Sequence, residues 1–208
     1  WMLHKIKDPE TTAEHIFHLA IFVWLLGKIK KINNLERAIK MALIHDICEV
    51  YVPDFTSFDA AGLKEKGRPT IKELLTVRPK LGRPTTAQRI KMEKIKQKLE
   101  MRAIKKLTSD LPQDIKIEIN NLWLDYEKGL TAEARFVKQA DRMINFFQGM
   151  EYWKKYGKIQ HLLWRRRIRE VIDDPVLLQF LEEFENFTLL TTDIPYNYVR
   201  YIFNLYEK

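Results

Sequence analysis

Hydrophobic residues recur at intervals of three and four positions along most of this chain, a period typical of helices with one buried face. The first two segments with this pattern run over residues 11–28 and 33–52. Thr11 and Glu14 have the spacing of a capping box at the start of the first segment, and Pro53 would stop the second. The N-terminal quarter of the chain is therefore predicted to form two helices.

The same period continues through the rest of the chain, and no segment shows sustained alternation of apolar and polar residues. Caps and prolines divide this region into further predicted helices, which run over about 88–107, 112–129, 131–147, 159–172, from 175 onwards and 195–206. These elements predict an all-α fold, a helical bundle in a single domain over residues 1–208. Its core would cover about residues 9–156.

Two segments lie outside this predicted core. Residues 56–87 are basic and contain Gly-Arg-Pro-Thr twice, which is typical of a loop rather than of repeated folded units. We predict a basic loop insertion there and a helical C-terminal extension over about 157–208. Arg68, Arg78 and Arg83 of the insertion could close over a phosphate or simply form a solvated surface.

Length and composition favour a globular protein from a reducing compartment. The chain has 208 residues, of which 46% are hydrophobic, enough for a sizeable core. Cys48 is the single cysteine, so no internal disulfide can form, and we predict a cytoplasmic protein. The longest apolar run, residues 19–27, is too short for a membrane span, so no membrane partner is expected. No signal peptide is visible, and because the chain begins at Trp1, earlier residues of the natural protein are expected to be missing.

The net charge of +8 favours an anionic partner such as a nucleotide, a nucleic acid or an acidic lipid. The most basic segment, residues 164–169, has the sequence Trp-Arg-Arg-Arg-Ile-Arg. Arginines beside a tryptophan suit phosphate contact and base stacking, so this segment could bind nucleic acid. An ordinary charged helix face explains it as well, and the charge alone does not choose between the two.

Imidazole and carboxylate side chains on three predicted helices form the strongest chemical signal in the chain. His15 lies on the first helix, the adjacent pair His45-Asp46 on the second, and Asp141 on a later one. Neighbours in a helix point about 100° apart, so His45 and Asp46 can flank one site. Imidazoles and carboxylates together bind first-row transition ions or magnesium. We predict one divalent metal ion held by these four residues, with Mn, Co, Mg, Zn and Fe all open.

Glu49 follows His45 and Asp46 by four and three positions, so a continuous helix would place it on their face. A carboxylate there can act as the general acid or base of a metal-assisted hydrolysis. A single histidine or aspartate on a helix more often serves packing or solvation. It is the order of all these residues together that favours a site.

The residues around these positions resemble those of the HD-domain 5'-deoxynucleotidases, a family of metal-dependent phosphohydrolases. Residues 9–15 (Pro-Glu-Thr-Thr-Ala-Glu-His) are similar to the family's segment around its first histidine, and residues 38–49 are similar to its His-Asp helix. Further similar segments are 107–112, 122–123, 126–127, 132–134 and 137–141. The likeness covers about residues 1–156 and is interrupted by the basic insertion.

This resemblance implies an HD-domain helical bundle and a role for each candidate residue. It implies four metal ligands, namely His15, His45, Asp46 and Asp141. It implies a catalytic, proton-handling role for Glu49 and a second catalytic carboxylate, Asp54, beside the substrate sugar and the attacking water. Trp1 matches a tryptophan near the nucleotide sugar, and the phosphate-binding arginine expected before it would precede residue 1.

Some positions depart from the family's pattern, and one adds a candidate contact. Pro53 stands where the family has glycine, which affects how Asp54 is aimed. His4 and Lys5 replace an Arg-Asn pair, which leaves Lys5 as a candidate substrate-binding residue. Lys138, one turn before the last ligand, could touch the substrate phosphate or be an ordinary surface lysine. These departures concern substrate choice more than the type of reaction.

The resemblance implies a metal-dependent phosphomonoesterase that hydrolyses (deoxy)nucleoside 5'-monophosphates to nucleoside and phosphate. It also implies a homodimer, whose interface the aromatic-rich helix after Asp141 could supply. Two other classes stay open. The changes at residues 4, 5 and 53 suggest a non-catalytic nucleotide-binding or regulatory HD protein, and the +8 charge with segment 164–169 suggests an HD nuclease or nucleic-acid-binding protein.

Overall fold

A computed structural model describes the chain at residues 1, 6–52, 86–157 and 159–190, where the secondary structure is helical and contains no strand. The predicted all-α fold is confirmed. The α-helices of these residues are α1 (Thr12–Lys30), α2 (Leu35–Ile44), α3 (Thr86–Leu107), α4 (Gln113–Lys128), α5 (Ala132–Tyr156), α6 (His161–Val171) and α7 (Pro175–Leu190). A single 3₁₀ turn, Ile47–Val50, follows α2. The predicted insertion, apart from residues 86 and 87, and the predicted helix over 195–206 lie outside the described residues.

Two helices begin with the caps that the sequence predicted. At α1, the Thr11 hydroxyl accepts a hydrogen bond from the Glu14 N–H at 3.2 Å, and the Glu14 carboxylate accepts one from the Thr11 N–H at 2.7 Å. At α5, the Thr131 hydroxyl accepts from the Ala134 N–H at 3.1 Å. Gly157 ends α5 with a φ of 65°, a left-handed conformation that glycine adopts without strain. These ends are specified by residues close together in the sequence.

The helix α2 differs from the prediction at both ends. Its N-cap is Asn34 rather than Asn33. It ends at Ile44 instead of continuing to the 3₁₀ turn. His45 Nδ1 donates at 2.9 Å to the Ala42 carbonyl, the group that the next backbone N–H would bond in a continuing helix. The predicted placement of the His-Asp pair inside a helix is therefore wrong, since the pair forms the turn after α2.

The chain forms two compact units, and the first comprises Trp1–His45 and Asn121–Lys208. Within it, α1 packs against α2, α5 and α7, and α5 also packs against α2, α6 and α7. The largest fully buried side chains of this unit include Phe136, Phe146, Phe147, Phe180, Phe184, Leu19, Leu26 and Met41. Phe146 and Phe147, two aromatic residues of the helix that contains Asp141, lie in this core.

A close approach between α5 and α6 depends on Gly149. A Cβ atom at this position would lie 2.8 Å from two ring carbons of Trp164. The glycine therefore lets the Trp164 ring lie against α5, where it stacks on Trp1 with ring centroids 5.4 Å apart.

The second unit comprises Asp46–Asn120 and is described by itself. Its 3₁₀ turn packs against α3. Cys48, Val52 and Ile104 are buried in it, as expected for a small apolar cysteine and its aliphatic neighbours. Lys106 Nζ lies 4.2 Å from the centre of the Tyr51 ring, a cation–π contact that joins α3 to the end of the turn.

Of the described helices, α1 is long and apolar enough, by length and composition, to cross a membrane. A core helix of a soluble protein passes the same test, and α1 buries Leu19, Phe22, Val23 and Leu26 in the first unit. The helix therefore does not indicate a membrane protein.

Candidate metal centre

Three of the four predicted metal ligands converge in the first unit. His15 on α1, His45 at the end of α2 and Asp141 on α5 each bring one donor atom to a group whose atoms all lie within 4.8 Å of one another. His15 Nε2 donates to Asp141 Oδ1 at 3.0 Å, and His45 Nε2 lies 3.9 Å from the same oxygen. Residues 126 positions apart in the chain are thus brought into contact.

The His45 ring is fixed by the backbone of its own helix. Its Nδ1 donates to the Ala42 carbonyl at 2.9 Å, and the residue is only 2% exposed. With the proton on Nδ1, the Nε2 lone pair faces Asp141 and is available to a metal. The turn after α2 is therefore part of the centre, because it aims this nitrogen.

The Asp141 carboxylate is held by two neighbours. The Tyr126 hydroxyl on α4 donates to Oδ2 at 3.2 Å, and Asn145 Nδ2, one turn further along α5, donates to Oδ1 at 2.9 Å. Hydrogen bonds of this kind fix the direction in which a ligating carboxylate points.

The charges at the centre favour an ionised carboxylate beside a protonated imidazole when no metal is bound. Burial raises the pKa of Asp141, but its hydrogen bond from His15 and the charges of both histidines outweigh burial and lower the pKa. Burial lowers the pKa of His15, but the hydrogen bond and charge of Asp141 outweigh it and raise the pKa. A metal ion and the His15 proton would therefore compete for the same nitrogen.

The donor set fits a divalent metal. Two imidazole nitrogens and one carboxylate oxygen are borderline-to-hard ligands that suit first-row transition ions and also tolerate magnesium. Three protein donors leave coordination positions for further ligands. Both imidazoles are nearly buried, at 6% and 2% exposed, so water competes little with them.

Asp46 and Glu49 belong to the second unit, and the three-residue group does not include them. Asp46 precedes the 3₁₀ turn, and its carbonyl accepts the Glu49 N–H at 2.9 Å. Residues three apart in a 3₁₀ helix lie on one side, so Asp46 and Glu49 share a side of this turn. Their roles as metal ligand and proton-handling residue remain predictions.

Trp1 is tied to the centre through Glu10. The Trp1 indole Nε1 donates to Glu10 Oε1 at 3.0 Å, and the same oxygen lies 3.9 Å from His15 Nδ1. The Trp1 ring stacks on Trp164 and meets the edge of Tyr152, whose hydroxyl accepts the Glu10 N–H at 2.6 Å. One carboxylate thus links Trp1, the predicted sugar contact, to His15, a predicted metal ligand.

The remaining predicted substrate contacts are not brought to the centre by the described contacts. Lys138 Nζ donates to the Glu127 carbonyl at 2.7 Å and lies 5.1 Å from the centre of the Tyr126 ring. Lys5 and Asp54 lie outside the described residues, as do His4, Pro53 and the three insertion arginines. Their proposed roles remain predictions.

The basic segment on α6 forms ion pairs within the chain. Arg169 pairs with Glu185 on α7, and Arg166 pairs with Glu170 at 3.2 Å. Trp164 stacks on Trp1. Two arginines of this segment are thus paired with glutamates, and a role of the segment in nucleic-acid binding stays a prediction.

Sequence reasoning missed three residues that contact the centre: Glu10, Tyr126 and Asn145. Asn145 stands four positions after Asp141, and this spacing alone could have placed it on the same helix face. Tyr126 and Glu10 lie in the family-like segments 126–127 and 9–15, but only packing between helices shows that they reach the site.

Comparisons with known proteins agree with the resemblance. The 5'-deoxynucleotidase HDDC2 of Xenopus laevis is 29% identical over 163 residues, which cover 77% of this chain and 65% of that protein. The human protein of that name is 28% identical over 73% of this chain and 59% of its own length. The 5'-deoxynucleotidase hdd1 of Schizosaccharomyces pombe is 27% identical over 88% of this chain and 78% of its own length.

The chain thus spans slightly less than two thirds of the length of the two HDDC2 proteins. A family profile described as HD domain matches residues 1–170, which is more than half of the 208 residues. The chain belongs to the HD domain family.

Proposed function

We propose that this protein is a metal-dependent phosphomonoesterase that hydrolyses (deoxy)nucleoside 5'-monophosphates to nucleoside and phosphate. The convergence of His15, His45 and Asp141 within 4.8 Å carries the proposal, because α1, the turn after α2 and α5 each supply one metal donor. The relatives named 5'-deoxynucleotidase support this substrate class.

His15, His45 and Asp141 would hold the metal, with Asp46 as the proposed fourth ligand. A bound divalent ion would supply charge neutralisation at the phosphoryl group and a lower pKa for water. Manganese, cobalt, magnesium, zinc and iron are all consistent with the donor set, and affinity order rather than site type would decide among them in vitro.

Hydrogen bonds within the chain orient the proposed metal ligands. His45 is locked by the Ala42 carbonyl, and Asp141 by Tyr126 and Asn145, so the ligand atoms are positioned before substrate arrives. In the proposed reaction, water attacks phosphorus in line and the bond to the 5'-oxygen breaks. Glu49 would move a proton between the attacking water and that leaving oxygen.

Substrate contacts are proposed from the family resemblance. Trp1 would lie against the sugar, and Asp54 beside the sugar and the attacking water. Lys5 and Lys138 are candidates for the phosphate, whose negative charge suits an ammonium group. The Trp1 indole bonds Glu10, whose carboxylate lies 3.9 Å from His15, and this supports a role for Trp1 near the centre.

The proposal is tested by measuring phosphate release from deoxy- and ribonucleoside 5'-monophosphates with manganese or cobalt added. Asp141→Asn should abolish metal binding and turnover, while Asp114→Asn, which removes an exposed carboxylate in the first turn of α4, should leave both unchanged. Glu49→Ala should keep the metal but lose rate. Metal-loaded protein that releases no phosphate from any of these nucleotides would overturn the assignment.

The resemblance further leads us to propose a homodimer in the cytoplasm. Light scattering of the purified protein tests the dimer, and a single-chain mass would refute it. Fractionation of cells that express the full-length protein tests the compartment. Phe146 and Phe147 are buried within the chain, so the interface would have to use other residues.

A further inference from the structure

Glu10, two residues before α1, is a nearly buried carboxylate whose side chain is 8% exposed. One oxygen, Oε1, accepts the Trp1 indole N–H at 3.0 Å. The other oxygen, Oε2, is buried and makes no hydrogen bond within the described residues. Burial raises the pKa of Glu10, as expected for a charge removed from water without full compensation. Burying the Glu10 carboxylate costs free energy, which points to a specific role for it.

The His15 imidazole lies beside Glu10 on the side of the metal centre. Its Nδ1 lies 3.9 Å from Glu10 Oε1, too far for a hydrogen bond but close enough for an electrostatic contact. Its Nε2 faces Asp141 on the other side of the ring. His45 has a similar but tighter arrangement, since its Nδ1 donates a hydrogen bond to the Ala42 carbonyl at 2.9 Å and its Nε2 faces Asp141. Each imidazole thus has an acceptor behind it and a ligand nitrogen in front.

We propose that Glu10 is a positioning residue of the metal centre, whose carboxylate stands behind the His15 imidazole and keeps the proton on Nδ1. Nε2 is then the nitrogen offered to the metal. The inference rests on the proposed metal site. Histidines that bind metals generally donate their other N–H to a carboxylate or a carbonyl, which orients the ring and raises its basicity.

The same contacts connect Glu10 to both sides of the site. A cation bound at Nε2 would make the Nδ1–H of His15 a stronger donor toward the carboxylate behind it. Trp1 and Tyr152 hold Glu10 in place through its Oε1 and its backbone N–H. Because Trp1 is also the proposed sugar contact, Glu10 joins the substrate side of the site to a metal ligand.

The test compares cobalt(II) binding by the wild type, Glu10→Gln and Glu10→Ala. The glutamine keeps an acceptor for Trp1 but loses the charge, and alanine loses both. We expect affinity to fall about tenfold for Glu10→Gln and by up to about a hundredfold for Glu10→Ala, with an altered visible absorption of the bound cobalt. The melting temperature of metal-free Glu10→Gln should stay close to that of the wild type.

Glu151→Gln is the matched control. Glu151 lies close enough for its charge to raise the pKa of Glu10, whereas the charges that act on His15 are those of Asp141, His45 and Glu10. Cobalt affinity should therefore be unchanged in this variant. If Glu151→Gln loses as much affinity as Glu10→Gln, the loss reflects only the removal of a nearby negative charge, and the proposal is overturned.

Two other outcomes separate this inference from the proposed function. A wild type that does not bind cobalt would overturn the metal site and the inference with it. A wild type that binds, with unchanged affinity and absorption in Glu10→Gln, would overturn the inference alone. Glu10→Gln still decides the question if Glu10→Ala does not fold.

Discussion

Replacing Asp125 tests whether one buried carboxylate joins three helices of the first unit. Asp125 on α4 accepts from Arg37 Nη2 on α2 at 2.8 Å, and from the Thr131 N–H and hydroxyl at the start of α5 at 3.0 and 2.8 Å. The Asp125 side chain is only 6% exposed. Asp125→Asn keeps the shape but removes the charge, and its amide hydrogens would face groups that are themselves donors.

The expected loss of stability follows from these contacts. A hydrogen bond to a charged group contributes about 1.5–3 kcal/mol, and removing one partner of a buried ion pair costs about 3–5 kcal/mol. The Arg37 side chain is 33% exposed and can return to water, so the cost should lie below the buried-pair range. We expect Asp125→Asn to lower the free energy of unfolding by about 2–3 kcal/mol, or the melting temperature by about 4–12 °C.

The effect should depend on pH in a defined direction. Burial raises the pKa of Asp125, but the bonds from Arg37 and Thr131 outweigh burial and lower the pKa in the folded protein. A carboxylate with a depressed folded pKa adds stability above its unfolded pKa of about 3.9 and loses it as pH falls through the folded pKa. The difference between wild type and variant should be complete at neutral pH and shrink below about pH 4.

Urea unfolding followed by circular dichroism measures this difference, with Glu36→Gln as the control. Glu36 pairs with Lys40 on the exposed face of α2, so its replacement should leave the unfolding midpoint unchanged. An Asp125→Asn midpoint equal to that of the wild type at neutral pH would refute the reasoning. So would a difference that grows in acid.

Three further predictions concern the centre and its surroundings. Tyr126→Phe removes the hydroxyl that donates to the ligand carboxylate, and cobalt affinity measured against a chelator should fall about tenfold. Gly149→Ala places a methyl group 2.8 Å from the stiff Trp164 ring. We expect the free energy of unfolding to fall by about 1 kcal/mol, which lowers the melting temperature by about 2–4 °C, and the tryptophan fluorescence to change. Metal affinity should weaken as pH falls through the raised pKa of His15, because the protonated ring cannot bind, and calorimetric titration at several pH values would show it.

The sequence predicted best what depends on neighbours in the chain. The capping box of Thr11 and Glu14 and the cap at Thr131 were predicted because each involves residues three positions apart. The end of α2 was not, because the hydrophobic period continues past it. At the end of α2, His45 Nδ1 donates a hydrogen bond to the Ala42 carbonyl in place of the next backbone N–H. The hydrophobic period gives no information about that bond.

The candidate centre shows the same division. The residue types and their order predicted His15, His45 and Asp141, and the structure brings these three together. The contacts of Tyr126 and Glu10 could not be predicted, because they depend on how α4 and the segment before α1 pack against the ligands. The relative direction of the His45 and Asp46 side chains was also not predictable, because both residues lie in a turn and the 100° spacing of a helix does not apply.

The contacts that hold the ligands form two groups, and they explain why the centre would be sensitive to distant packing. The bond from His45 to its own helix is local, since it joins residues three positions apart. The environment of His15 depends instead on a chain of contacts that runs from Gly149 through Trp164, Trp1 and Glu10. Because interiors are close-packed, a methyl group added at Gly149 displaces the Trp164 ring and every group stacked behind it. The two histidines of one centre are thus positioned by different means, and Gly149→Ala should disturb the surroundings of His15 more than those of His45.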